Sequence, residues 1–112
     1  MSHPYIHAMN SAKLFGGKTE DYFPIHNWFD ETKAWCPDWR HRAMRHHLEG
    51  VYECMSIFGE TIINSDGKQV PVLEIGLQHQ IEDVGFVPRA IDWFEHFDEK
   101  KWKQFQQQQI QQ

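Results

Sequence analysis

Apolar residues recur at helical spacing along most of the chain, and the longest such run, Cys36 to Phe58 (CPDWRHRAMRHHLEGVYECMSIF), predicts one long central helix. Pro37 suits its first helical position, Asp38 sets negative charge on its opening turn, and Gly59 follows its last periodic residue. Wound at ~100° per residue, the segment gathers Trp39, Ala43, Gly50, Val51, Cys54, Ile57 and Phe58 on one arc. His47 falls near the middle of that arc and Arg40 two turns earlier on the same stripe, with His41 and His46 on the margins. A buried arginine needs an anion, and a buried imidazole needs hydrogen bonds to both nitrogens or a metal on one of them.

The other elements follow from the same periodicity. Ser2 can cap a first helix with Pro4 in its opening turn and a stop at Gly16-Gly17. Tyr5, Ile6, Met9 and Ala12 form its expected inner side, while His3 and His7 stand on another side, at the spacing that lets two imidazoles of one helix share a metal. A second helix is expected from about Glu20 to Ala34, with Ile25, Trp28 and Phe29 turned inward and His26 and Asp30 one turn apart beside them. Glu60 to Asn64 and Gln69 to Ile75, joined through Asp66-Gly67, read as a β-hairpin whose Pro71 marks an edge strand. Two strands do not stand alone, so the hairpin must lie on helices or pair with another copy. Leu77 to Val84 predicts a short helix with Leu77, Ile81 and Val84 inward and His79 and Asp83 on the opposite, solvent-facing side. Pro88 opens a last helix that buries Ala90, Ile91, Phe94 and Phe97 and runs on past Trp102. The fold class expected is mainly α, a compact helical domain with one long central helix and a single β-hairpin. Residues 1–103 form that domain, with the hairpin at about 60–75, and residues 104–112 form a glutamine-rich, low-complexity tail that extends whatever precedes it.

Composition narrows the function classes. A chain of 112 residues that is 40% hydrophobic and 14% aromatic can build one core. A net charge of -5 and a pI near 5.8 argue against non-specific nucleic-acid binding, and Arg40, Arg42 and Arg45 make the one basic patch. Cys36 and Cys54, about five turns apart on a continuous helix, cannot bond to each other and read as reduced thiols of a cytoplasmic protein. No apolar run approaches the ~20 residues of a membrane span, and MSHPYIHAMN lacks the regions of a secretory signal.

The chemistry worth testing is carried by histidine and aspartate. His26 with Asp30, His79 with Asp83, and His47 of the central helix offer nitrogen and carboxylate ligands suited to Zn, Mn, Fe or Ni, and no paired-cysteine zinc motif competes with them. With an open coordination position such a divalent metal would activate water, and the protein would be a hydrolase of a phosphorylated or other anionic substrate. Arg40 and Arg42, with His46, His41 and His7, would then hold the anion. The alternative is a noncatalytic, dimeric binding module that engages a host protein or small anionic ligand through the same arginine- and histidine-rich surface. A third reading leaves every histidine solvated or satisfied in the core, with the edge strand as an interface between two copies.

SAKLFGG, IHNWFDETKAW, RHRAMRHHLEG, the NSDGK turn, and QHQIEDVG with the VP and IDW that follow it together resemble an uncharacterised small domain family of bacteria and their phages. The resemblance runs to about Phe97 and implies a stand-alone cytoplasmic protein. It carries no activity, ligand or catalytic residue to any position.

Overall fold

The computed structural model describes residues 3–110, and its secondary structure is mainly helical with a single two-stranded antiparallel hairpin, as the periodicity predicts. In chain order, α1 spans Pro4–Phe15 and α2 Thr19–Asp30, the latter running on into a 3-10 turn, Glu31–Ala34. A second 3-10 turn, Trp39–His41, leads into the single turn of α3, Arg42–Arg45, and then α4, Leu48–Phe58. Strands β1 (Thr61–Ile63) and β2 (Gln69–Pro71) pair with Ile62 opposite Val70. They are followed by α5 (Val72–Val84), α6 (Ala90–Phe94) and α7 (Glu99–Ile110). Among the described residues no helix is long and apolar enough to cross a membrane.

The central segment is therefore not one rod. It breaks at His46 (φ -88°, ψ 65°) and His47, which is extended and caps α4 by accepting the Gly50 N–H on Nδ1 at 2.9 Å. Groups that a continuous helix would pair internally go elsewhere. Trp93 Nε1 donates to the His46 carbonyl at 2.8 Å, the Leu48 N–H donates to Pro88 at 2.8 Å, and the Gln80 amide reaches the Arg45 carbonyl at 3.4 Å. Gly50 lets the chain double back, because a Cβ there would overlap the Arg45 carbonyl.

Several inner faces differ from those expected. In α1 the buried residues are Pro4, His7, Ala8 and Ser11, while Tyr5 and Ile6 are each 46% exposed; the cap is His3, and Ser2 lies outside the described residues. Val72 to Ile75, expected in the second strand, open α5, so the hairpin is shorter than its apolar pattern suggested. On α5 the buried side carries Ile75, Gln78 and His79, and Ile81 faces outward. Ile91, Phe94 and Phe97 are exposed, and the last helix is two, α6 and α7, of which α7 is exposed throughout. Cys36 lies in the loop between the two 3-10 turns and Cys54 in α4, both thiols free.

The apolar core runs through Ala8, Tyr22, Ile25, Trp28, Phe29, Val51, Cys54, Val70, Val72 and Ile75. Beside it the interior holds more polar residues than apolar ones, six of them histidines. Burying a polar group costs roughly 2–7 kcal/mol unless something pairs with it, so the partners of these groups decide what the interior is for.

Candidate metal centre

Four side chains from three separate segments meet behind Phe29: Asp30 at the end of α2, His46 at the break after α3, and His79 and Asp83 one turn apart on α5. One ligand atom from each lies within 4.8 Å of all the others, and the side chains are 3% exposed or less. Phe29 stacks on the His79 ring and meets the His46 ring edge-on, which fixes both imidazoles. This buried group could hold a metal ion.

Its spacing suits that use. His46 Nε2 lies 3.0 Å from Asp83 Oδ2, 3.1 Å from Asp30 Oδ1 and 3.1 Å from His79 Nε2, and the last two are 3.5 Å apart. Ligands bound at 2.0–2.1 Å around a tetrahedral ion stand about 3.3 Å from one another.

The surrounding hydrogen bonds determine which of these nitrogens bears a lone pair. The Gln78 amide nitrogen donates to the His7 carbonyl and to Glu82 Oε2, which leaves Gln78 Oε1 to accept from the Ser11 hydroxyl at 2.6 Å. The other oxygen near Ser11 Oγ, the His7 carbonyl, is also an acceptor, so Ser11 can only accept from His26 Nε2, at 2.7 Å. His26 is then protonated on Nε2, and its Nδ1 accepts from His79 Nδ1–H at 2.9 Å. His79 Nε2 is left bare and aimed at the cluster. Burial and neighbouring imidazoles push His26 down to about 2, and burial pulls His79 down to about 4 against the raising influence of Asp30, so both are neutral around pH 7.

His46 behaves in the opposite way. Burial opposes its charge, yet hydrogen bonds to Asp30 and Asp83 outweigh burial and raise its pKa above the ordinary value. Burial likewise opposes ionisation of Asp30 and Asp83, and their contacts with His46, plus His79 for Asp30 and Arg42 for Asp83, overcome it and hold both carboxyls low. In the metal-free protein the His46 Nε2 proton thus faces three acceptors at once and can serve only one. Both Asp30 oxygens are buried without a properly aligned hydrogen bond.

A pH dependence follows. His26 and His79, with folded values below the unfolded 6.5, contribute stability that is complete above that pH and lost as pH falls toward about 4 and then about 2. His46 has the reverse sign, contributing below 6.5 and losing its contribution as pH rises through its folded value. With three lowered imidazoles, His26, His79 and His41, against one raised, the metal-free protein is expected to take up net protons on unfolding between pH 6.5 and 4, so that its urea midpoint falls across that range. A midpoint that holds steady or rises there would contradict the neutral assignment of His26 and His79.

The structure brings together only part of what the sequence pattern suggested. Asp30, His79 and Asp83 converge, although the periodicity of Leu77 to Val84 had turned His79 and Asp83 to solvent. His46 occupies the place expected for His47, because the break after α3 rotates His47 out to cap α4. His26 supports His79 from behind and is not within the group of four. His7 and His41 are fully buried, His7 held by Glu82 at 2.8 Å and His41 by the Asp38 carbonyl at 2.7 Å. Arg40, expected on the inner stripe, is exposed and paired with Asp38, and Arg42 grips Asp83 through Nε at 3.0 Å and an Nη at 3.3 Å. Arg45 stacks over Trp28 and bonds its carbonyl and Glu31, so each arginine of the supposed basic patch is engaged within the chain. Glu82, Ser11 and Gln78 carry no signal of their own; once His79 is placed inward, their position within a turn of it or on the buried side of α1 identifies them.

His26 acts here as a positioning residue. Replacing it by phenylalanine, which keeps the ring but neither nitrogen, is expected to weaken metal affinity by ~10–100-fold, measured by competition with a chromophoric chelator. Unchanged affinity would mean that the tautomer of His79 does not depend on it.

No curated protein and no solved structure matches the chain. A family model described as a domain of unknown function (DUF6915) matches residues 2–103, nearly the whole of it, and the protein belongs to that family.

Proposed function

We propose that the protein binds one divalent transition metal, of the group Zn, Mn, Fe and Ni, through Asp30, His46, His79 and Asp83, and that the ion serves chiefly to hold α2, the α3–α4 break and α5 together. The observation that carries this reading is the set of lone pairs turned on one point: a bare His79 Nε2 and two carboxylates crowd the single His46 Nε2 in the buried interior. A dication in place of that proton would satisfy all four ligands, where the proton satisfies one. Enclosure favours holding over turnover, since catalytic metal sites keep a coordination position open.

The test is metal content. Untagged protein purified without added metal is expected to contain about one equivalent of transition metal, and metal binding should release protons from His46, more of them as pH falls, because its contacts with Asp30 and Asp83 raise its pKa. Absence of metal, together with a melting temperature indifferent to Zn, Mn, Fe, Ni or chelator, would end this reading.

A hydrolase of an anionic substrate is the second reading, and one feature favours keeping it. Arg42, 17% exposed, is hydrogen-bonded to Asp83, which is 1% exposed. Swinging away, it would meet a phosphate. Metal-loaded protein that fails to hydrolyse phosphomonoester and phosphodiester test substrates, with or without Arg42→Ala, would remove this reading and leave the first intact.

A further inference from the structure

Helix α7 buries none of its residues, yet Trp102, Phe105 and Ile110 lie along one stripe of it at 60%, 50% and 67% exposure. A helix of 12 residues with no apolar face covered is marginal in water, so the stripe calls for a counterpart. Its own domain does not supply one. The junction after α6 is hydrogen-bonded: the His96 N–H donates to the Trp93 carbonyl at 3.1 Å and the Phe97 N–H to the Phe94 carbonyl at 3.0 Å. Asp98 then caps α7 by accepting the Lys101 N–H at 3.1 Å. Folding α7 back would break these bonds, and as it stands the chain measures 59 Å along its longest axis against 24 and 21 Å across.

A matching surface lies between the α3–α4 segment and α6, in a groove lined by the exposed side chains of Met44, Phe94 and Phe97 and by Glu49 and Glu53, one turn apart on α4. Glu53 makes no ion pair among the described residues, and Arg40, which also lines the groove, is held by Asp38. Charge complements shape. Helix α7 carries three lysines and one glutamate, which leaves the rest of the chain more acidic than the -5 of the whole. Wound at ~100° per residue, Lys101 and Lys103 flank the apolar stripe on its two sides, where the groove would offer them Glu49 and Glu53. We propose that two copies of the chain exchange α7, each laying its Trp102–Phe105 stripe in the groove of the other. A reciprocal exchange closes on a two-fold axis, covers both apolar surfaces of both copies and leaves none open to a third. The contact uses neither the hairpin edge nor the metal ligands.

Light scattering on the full chain reads the mass. The wild type is expected at twice 13.4 kDa, and Trp102→Glu with Phe105→Glu, both on a helix that buries nothing in its own copy, at the mass of one chain. A monomeric wild type, or a dimer that survives the double substitution, would overturn the proposal. Cross-linking reads where α7 sits, because the Cys36 thiol lines the groove while Cys54 is buried. A chain with Gln106→Cys on the stripe and Cys36→Ser in the groove is expected not to link to itself through a short bis-maleimide, and to link to wild type once the two have been mixed and allowed to exchange. Links within the variant alone would mean that α7 pairs with α7, and no link to wild type would mean that the groove does not receive it; either result overturns the exchange.

Discussion

Asp30→Ala is expected to remove most of the metal-dependent stabilisation while leaving the metal-free protein folded. Asp30 Oδ1 lies 3.1 Å from His46 Nε2, 3.5 Å from His79 Nε2 and 3.8 Å from His41 Nε2, so it faces more of the buried imidazoles than Asp83, which meets His46 at 3.0 Å. Saturating metal at about 1,000 times its dissociation constant stabilises the fold by about 4 kcal/mol, which for a domain of this size is roughly 20 °C in melting temperature. The variant should lose about two-thirds of that shift or more, because a ~100-fold loss of affinity on removal of one ligand leaves only about 1.4 kcal/mol at the same metal concentration. Without metal the change should be small. The buried charge of Asp30 costs desolvation and its oxygens lack aligned donors, while Asp83 remains to accept the His46 proton. Thermal melts of both proteins with metal and with chelator separate the cases. Equal shifts in the two would show that the metal binds elsewhere.

Gly50→Ala should be the more damaging to the fold itself. The methyl group would run into the Arg45 carbonyl, and the obstacle is backbone that forms the break between α3 and α4. Overpacking of this kind costs typically 1–3 kcal/mol and more when no flexible side chain can yield. Relief requires a shift of the break, which moves His46. Loss of stability should therefore come with loss of metal binding. Gly76→Ala is the comparison: its methyl group would press chiefly on the Val51 side chain of α4, at 2.7 Å, and less tightly on Phe29 of α2, at 3.3 Å, and should lower stability with a smaller loss of metal affinity than Gly50→Ala. A Gly50→Ala protein that binds metal as well as wild type would show that the break tolerates a side chain there.

Helix and hairpin content was legible because apolar periodicity and the Asp66-Gly67 turn are local properties. The inner faces of α1 and α5 were not, because hydrophobic pattern assumes that apolar residues point inward, and here His7, Ser11, Gln78 and His79 do so in place of Tyr5, Ile6 and Ile81. The residue pairs His26/Asp30 and His79/Asp83 pointed to the right neighbourhood, since one turn of spacing sets both members of a pair on one side of their helix. His46 and His47 exchanged places because the break depends on Trp93, Pro88 and Gln80, which lie far along the chain. A local trace existed all the same: His47, Glu49 and Gly50 read as a fresh helix start, with a capping side chain, an acid in the first turn and a glycine where the chain bends back.

The ligands also come from stretches far apart in the chain, with His46 and His79 separated by 33 positions. Segments that would otherwise open independently, α2 near the N-terminus and α5 beyond the hairpin, could not leave while an ion joins them. Amide hydrogen exchange in α2, α4 and α5 should then converge on a single slow rate when metal is bound and separate into distinct rates when it is stripped, so that occupancy of the centre sets how many cooperative units the domain contains.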